Sequence, residues 1–196
     1  MVSISDDAGG WLAVGLGNPG ERYERTRHNA GARAVEQLAA TLGGRLRPAK
    51  GGILIAEARS EGARLVLGRP QSYMNDSGPP VAWACRWHRM DADHLIVLHD
   101  DIDLPPATLR LKKGGGTAGH RGLDSIVQAL GSKDFYRVRI GVGRPDWPRD
   151  PVDWVLERMP KQTREELGAT EAEAGDAVLS IIHDGLERAM NRFNTR

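Results

Sequence analysis

The chain switches between short apolar runs, alternating segments and stretches with apolar residues three or four apart, and these switches predict its elements. Trp11 to Leu16 is an apolar run closed by Gly15, Gly17, Pro19 and Gly20, which predicts a buried strand and a turn. Ala30, Ala34, Leu38 and Leu42 recur at helical spacing, so a helix is expected from Asn29 to Leu42, ended by Gly43 and Gly44. Gly52 to Ala58 and Arg64 to Gly68 read as paired strands around the Ser60-Glu61-Gly62 turn. Asp76 and Ser77 suit the cap of a helix with its body from Val81 to Met90, Pro79 and Pro80 fitting its first turn. Leu95 to Leu98 is continuously apolar, the pattern of a central strand buried on both faces. Strands are expected at Leu109 to Lys112 and Val138 to Val142, and a helix at Leu123 to Leu130. Pro151 to Asn194 is expected to be mostly helix, with Ala177, Ile181 and Ile182 in its apolar stripe.

Alternating strands and helices predict an α/β fold: a single domain with a twisted mixed β-sheet covered by helices on both sides. Residues 1–10, MVSISDDAGG, are polar and acidic and read as a disordered extension to a domain of residues 11–196. That start lacks the basic-then-apolar order of a signal peptide. No apolar run approaches the roughly 18 residues of a membrane span, so the expected compartment is the cytoplasm. The net charge of +1 does not announce a polyanion binder, and any such site must come from a local basic patch. Cys85 is the single cysteine, which excludes an intrachain disulfide and a cysteine zinc cluster; its apolar setting suits a buried, inert thiol.

Five segments offer chemistry. Gly15-Leu16-Gly17-Asn18-Pro19-Gly20 formally matches the dinucleotide-binding G-x-G-x-x-G. That motif needs a helix starting inside the glycines, whereas polar ERYERTR follows here, so a strand-end turn presenting Asn18 is the better reading. Thr26-Arg27-His28-Asn29-Ala30-Gly31 places His28 at a helix start, either solvated or available as a base. Tyr73-Met74-Asn75-Asp76-Ser77-Gly78 places an amide before a helix, where Asn75 can also simply bond its own backbone. His99-Asp100-Asp101-Ile102-Asp103 follows the central strand, where α/β sheets form their ligand crevice, and its Asp-x-Asp spacing also invites magnesium. Arg110-Leu111-Lys112-Lys113 runs into Gly114-Gly115-Gly116 and then Thr117-Ala118-Gly119-His120-Arg121, which suits phosphate contact as well as it suits a solvated charged strand.

In this order GLGNPG, TRHNAG, SYMN-x-SG, HDDIDLPP and the GGG–GH loop resemble the bacterial-type peptidyl-tRNA hydrolase family. FYRVRIGVGRP at 135–145, VLERMP at 155–160 and DGLERAMNRFN at 184–194 extend the resemblance from about Trp11 to Asn194. It implies cleavage of the ester between a peptide and the terminal adenosine of tRNA, by a monomer without metal or other cofactor. The substrate partner is the acceptor end and CCA terminus of peptidyl-tRNA. By the same resemblance His28 is the general base and Asp100 orients it. Asn18 distinguishes an N-blocked peptidyl ester, Asn75 binds the peptide and polarises the carbonyl, and Tyr23 and Tyr73 line the cleft. His120 and Arg121 belong to the substrate site. Lys112 and Arg139 hold tRNA phosphate, with Arg110 and Lys113 as neighbours. The chain departs from the family at Arg121, where members have asparagine, and at Ala118, where glycine is usual. Two other readings remain open at this point: a weakened, non-catalytic relative that binds RNA, and a nucleotide-dependent oxidoreductase built on the glycine run.

Overall fold

The computed structural model describes residues 10–145 and 148–194. The predicted disordered extension lies outside them, except for Gly10, which is buried with Arg64 and Met90 close to its backbone. In chain order the elements are β1 (Trp11–Gly15), α1 (Glu21–Glu24), α2 (Ala30–Thr41), β2 (Arg47–Ala49), β3 (Ile53–Ser60), β4 (Ala63–Pro70) and α3 (Gly78–His88). There follow β5 (Leu95–Asp101), β6 (Leu109–Lys113), α4 (Arg121–Leu130), β7 (Tyr136–Gly141), α5 (Pro151–Leu156), α6 (Lys161–Asp184) and α7 (Leu186–Phe193).

The described residues build one seven-stranded sheet in the order β2-β3-β4-β1-β5-β7-β6. β4, β1, β5 and β7 are parallel, while β2, β3 and β6 join antiparallel at the edges. All seven residues of β5 are buried, as its apolar run requires of a strand covered on both faces. α2, α6 and α7 cover one face, with Leu38, Val178 and Phe193 among the side chains packed there. α3 and α4 cover the other, with Val81, Cys85, Leu123 and Ile126. Burial raises the Cys85 thiol to about 11, so it stays protonated and inert.

From β1 the chain crosses to the β2 edge, works back through β3 to β4 beside β1, and then passes to β5 on the other side of β1. The strand order therefore reverses between β1 and β5, and a crevice opens beyond their carboxyl ends. Two glycines bring the helix layer close to that point. A Cβ on Gly31 would stand 2.1 Å from the Leu98 carbonyl oxygen, and one on Gly15 would stand 2.1 Å from that of Gly31. Gly15 of the glycine run and Gly31 of α2 thus let the helix touch the sheet backbone.

The structure differs from the sequence pattern at four places. Polar ERYERTR, expected to hold no helix before Asn29, opens with the one-turn α1 at Glu21–Glu24, which still begins beyond the glycines and not among them. β2 is a three-residue edge strand with too little alternation to be visible. Asp76 lies in a 3-10 turn, Met74–Asp76, and Ser77 makes no side-chain cap, because its hydroxyl donates to the Met74 carbonyl. The first amide of α3, Gly78, donates instead to Ser125 Oγ of α4 at 2.9 Å. The C-terminal helical region is three helices, broken where Glu157 turns extended and where Gly185 takes φ +80°.

Candidate active site

A cavity of about 340 Å³ opens at the β1–β5 crevice. Asn18, Tyr23, His28, Tyr73, Asn75, Asp100, His120 and Arg121 all line it, so the predicted cluster converges. Its last wall is apolar: Val152, Val155 and Leu156 of α5. The Asp150-Pro151 pair signalled that helix, since Asp150 caps it at 2.7 Å to the Val152 amide, but nothing in the sequence signalled where it would pack.

Asp100 is at the centre, 3 % exposed at the end of β5. His28 Nδ1 is 2.9 and 3.0 Å from its two carboxylate oxygens. His120 Nε2 is 3.0 Å from Oδ1. His120 Nδ1 accepts the Gly122 and Leu123 amides at 3.2 and 3.4 Å as the N-cap of α4, so its proton sits on Nε2 and is donated to Asp100. His120 is thus a support for the carboxylate as well as a cavity residue. His28 likewise donates from Nδ1, leaving Nε2 with its lone pair and no protein partner among the described residues.

The electrostatics follow from this packing. Burial pulls the His28 pKa down, but the charge and hydrogen bond of Asp100 outweigh it and leave it raised, with the Arg121 cation subtracting part of the gain. Burial pushes Asp100 up, and His28 and His120 overcome this to hold it far below the usual carboxylate range. His99, behind them, is pushed well down by burial and by His120. It donates from Nδ1 to the Asp100 carbonyl at 2.7 Å and stays neutral.

His28 is held from below. Thr26 and Arg27 are buried, and Arg27 stacks on Trp154 of α5 at 3.4 Å from the ring centre. Arg33 of α2 donates to the Glu24 and Thr26 carbonyls at 2.8 Å each, and pairs with buried Glu171 at 2.7 Å. Asn29 clamps the Asn18 backbone at both ends, 2.9 Å each. Asn18 Oδ1 accepts the Met74 amide at 2.8 Å, so its carboxamide is oriented and its NH₂ remains for a ligand carbonyl. Tyr23 and Tyr73 meet edge to face at 6.3 Å.

The four basic residues expected to meet phosphate, Arg110, Lys112, Lys113 and Arg139, do not line the cavity. Cross-strand register places Arg110 beside Arg139 and Lys112 beside Arg137, on one face of the β6–β7 ribbon. Arg139 reaches the site through Asp101, at 2.8 Å. Burial, Arg137 and Arg139 lower the Lys112 pKa, against the opposing pull of the Asp101 charge. Lys113 points to the opposite face and pairs with Asp93 at 2.6 Å. Arg137, unremarked in the sequence, is 3 % exposed and bonds the Gly114 and Gly116 carbonyls, fixing the glycine loop.

The Asp-x-Asp magnesium pattern is not assembled: Asp101 bonds Arg139 and the Asp103 amide, and Asp103 pairs with Arg144. Among the described residues the one group with metal-ligand spacing is His28, Asp100 and His120, whose ligand atoms lie within 4.8 Å of one another.

The profile of the peptidyl-tRNA hydrolase family matches residues 12–196. The peptidyl-tRNA hydrolase of Frankia casuarinae is 48 % identical over 194 residues, covering 99 % of this chain and 98 % of its own. That of Cutibacterium acnes is 47 % identical over 200 residues, covering 94 % and 98 %. The crystal structure of peptidyl-tRNA hydrolase from Acinetobacter baumannii superposes with a TM-score of 0.88 at 34 % identity, covering 97 % of each chain.

Proposed function

The chain belongs to the peptidyl-tRNA hydrolase family, and from that premise we propose that His28 and Asp100 cut the ester between peptide and tRNA with water as nucleophile. The observation that supports this most directly is the His28 Nδ1–Asp100 bond, which leaves Nε2 as the unpartnered base in the cavity. Nε2 takes a proton from water as the oxygen attacks the ester carbonyl, and Asp100 stabilises the imidazolium that forms. The tetrahedral intermediate collapses, the ribose oxygen leaves with the proton held on His28, and the products are free tRNA and an N-blocked peptide carboxylate. Asn18 donates its NH₂ to a peptide carbonyl, and Asn75, exposed on the cavity rim, contacts the same chain. Tyr23 and Tyr73 pack on the substrate.

Lys112 and Arg139, with Arg110 alongside, meet the phosphates of the acceptor end from the β6–β7 ribbon. Lys113 is turned away from that group. We further propose that the enzyme works on tRNA in the cytoplasm as a monomer; no described helix is long and apolar enough to cross a membrane. We assign no metal, because Asp100 already accepts hydrogen bonds from both His28 Nδ1 and His120 Nε2.

Turnover of N-acetyl-aminoacyl-tRNA in excess EDTA tests this reading. Release of N-acetyl-amino acid is expected, with free aminoacyl-tRNA resistant, and with binding of the tRNA substrate far more salt-sensitive than that of a minimal peptidyl-adenosine ester. Binding without turnover would instead make the chain an RNA-binding relative, and loss on chelation restored by a divalent metal would overturn the metal-free assignment.

A further inference from the structure

Three large apolar side chains are the most exposed among the described residues: Tyr73 at 56 %, Trp87 at 63 % and Val152 at 43 %. Tyr73 and Val152 stand at the cavity, where substrate would cover them. Trp87 does not. It lies near the far end of α3, stacked on Trp83 with ring centres 5.3 Å apart and planes 13° from parallel. Trp83 in turn rests on Gly51, in the turn between β2 and β3. Gly51 has φ +83°, and a Cβ there would stand 2.3 Å from the Trp83 ring. Glycine leaves the gap that seats the inner indole, so the outer one is held flat against a fixed support. A flat aromatic pair with one open face is a docking surface at low entropic cost.

Its place in the fold says what docks there. α3 starts two residues after Asp76, directly from the turn that carries Asn75 into the cavity. Pro79, Trp83 and Trp87 are spaced four apart, so they form one slanting stripe that leads away from the cavity rim. Pro79 is exposed, Trp83 half-buried and Trp87 exposed along it. The cationic face of β6 and β7 lies at one end of the sheet, and β2 and β3, which flank the tryptophans, lie at the other. A peptidyl-tRNA is itself two-ended: RNA extends from one side of the scissile ester and peptide from the other. With the ester at His28 and the phosphates on β6–β7, the end left for the tryptophans is the peptide. We propose that the Trp83–Trp87 stack is a track for the amino-terminal part of the peptide moiety, making the enzyme favour long, apolar peptides. This rests on the reading of the cavity as the hydrolase site.

The length follows from geometry. The eight residue-to-residue steps of helix from Pro79 to Trp87 rise about 12 Å, which an extended peptide spans in roughly four residues. Peptides of one or two residues end inside the cavity and never reach Trp87.

The test compares two substrates on the same tRNA, an N-acetyl-aminoacyl ester and an N-acetyl apolar hexapeptidyl ester, with the parent and Trp87→Ala. Trp87 is solvent-facing, so the variant should melt with the parent. The track predicts a KM several-fold lower for the hexapeptidyl substrate in the parent. Trp87→Ala should erase that advantage, leaving kcat and the short substrate unchanged, and Trp87→Phe should restore most of it. Equal effects on both substrates, or none on the long one, would overturn the track. So would quenching of Trp87 fluorescence by single-stranded oligouridylate, which would assign the stack to RNA, or a dimer that Trp87→Ala dissolves, which would assign it to a second copy. Failure of the parent to cleave the short ester would count against the cavity reading and not against the stack.

Discussion

On the floor of the cavity the proposed reacting groups are fixed by protein partners, whereas the Thr117–Gly119 turn and the Arg121 side chain beside them are held by little. Asp100 accepts from two imidazoles, His120 caps a helix, and His28 sits on a turn braced by Arg33, Trp154 and the close approach of Gly31 to the sheet. The loop instead contains two successive residues at positive φ, Ala118 and Gly119, and ends in an exposed guanidinium with no partner among the described residues. On the proposed mechanism, rigid elements hold the proton chemistry and a weakly held turn meets the substrate, a division that preorganises catalysis while leaving recognition free to vary. The two regions communicate through charge, since Asp100 raises the His28 pKa and Arg121 lowers it.

The largest break in this comparison is His28→Ala. Activity should fall by roughly a hundredfold or more, since no other base is in place, while the melting temperature stays within a few degrees because Asp100 keeps His120. Retention of most activity in a turnover assay would remove the mechanism. Asp100→Asn comes next, with roughly tenfold or greater loss of kcat from a misoriented imidazole. Its pH signature is directional. The base works only when neutral, so activity falls as pH drops through the raised His28 pKa. Without the carboxylate the remaining influences, burial and Arg121, both lower that pKa. The acid limb of kcat/KM should therefore move to lower pH, and an unmoved limb would mean that His28 is not the group titrating.

Most of the floor was legible in the sequence. The all-apolar Leu95–Leu98 run announced a central strand, and acids after such a strand fall in the crevice by the logic of α/β sheets. The glycines around Asn18 and His28 stood out, although their use as close contacts between α2 and the sheet is a three-dimensional fact. What the sequence hid was pairing at a distance. His120 looked like one more cleft residue, yet its two nitrogens are divided between a helix cap and Asp100. Lys113 looked like Lys112, yet strand alternation turns it to the opposite face. Arg137 fell outside the strand and motifs the sequence singled out, yet it is buried under the glycine loop. The α5 wall is ordinary amphipathic helix until its packing is known.

Arg121→Asn sharpens the electrical side of the comparison with a smaller effect of opposite sign to Asp100→Asn. Removing the cation should raise the His28 pKa further, moving the acid limb to higher pH. Binding should also respond. An amide both donates and accepts, whereas a guanidinium leaves any substrate N–H facing it unpaired, at about 1–3 kcal/mol. KM should fall several-fold with little change in kcat, the signature of uniform binding. A rise in KM with a flatter salt dependence would instead assign Arg121 to a phosphate. An unmoved acid limb would break the charge link between loop and floor.

The smallest effect isolates the strain in the loop. His120 N bonds the Thr117 carbonyl at 3.1 Å across Ala118 at φ +53° and Gly119 at φ +76°, the pattern of a turn with both central residues left-handed. A side chain at Gly119 would meet nothing within 4 Å, so Gly119→Ala changes backbone preference alone. It should destabilise the loop by about 1 kcal/mol. Ala118→Gly should act in the reverse sense, relieving about 1–2 kcal/mol of left-handed strain against a loss of about 0.4–1 kcal/mol through the freer unfolded chain. The net gain is a fraction of a kcal/mol, which for a chain of this size raises Tm by about 1–2 °C. If the loop opens independently of the core, the melting temperature will not register even this, but amide exchange at His120 will slow in Ala118→Gly and quicken in Gly119→Ala. Because the His120 amide closes the turn while its ring holds Asp100, the same pair should shift kcat in step with that exchange. Exchange rates that move while kcat does not would show that the floor is insulated from the loop after all.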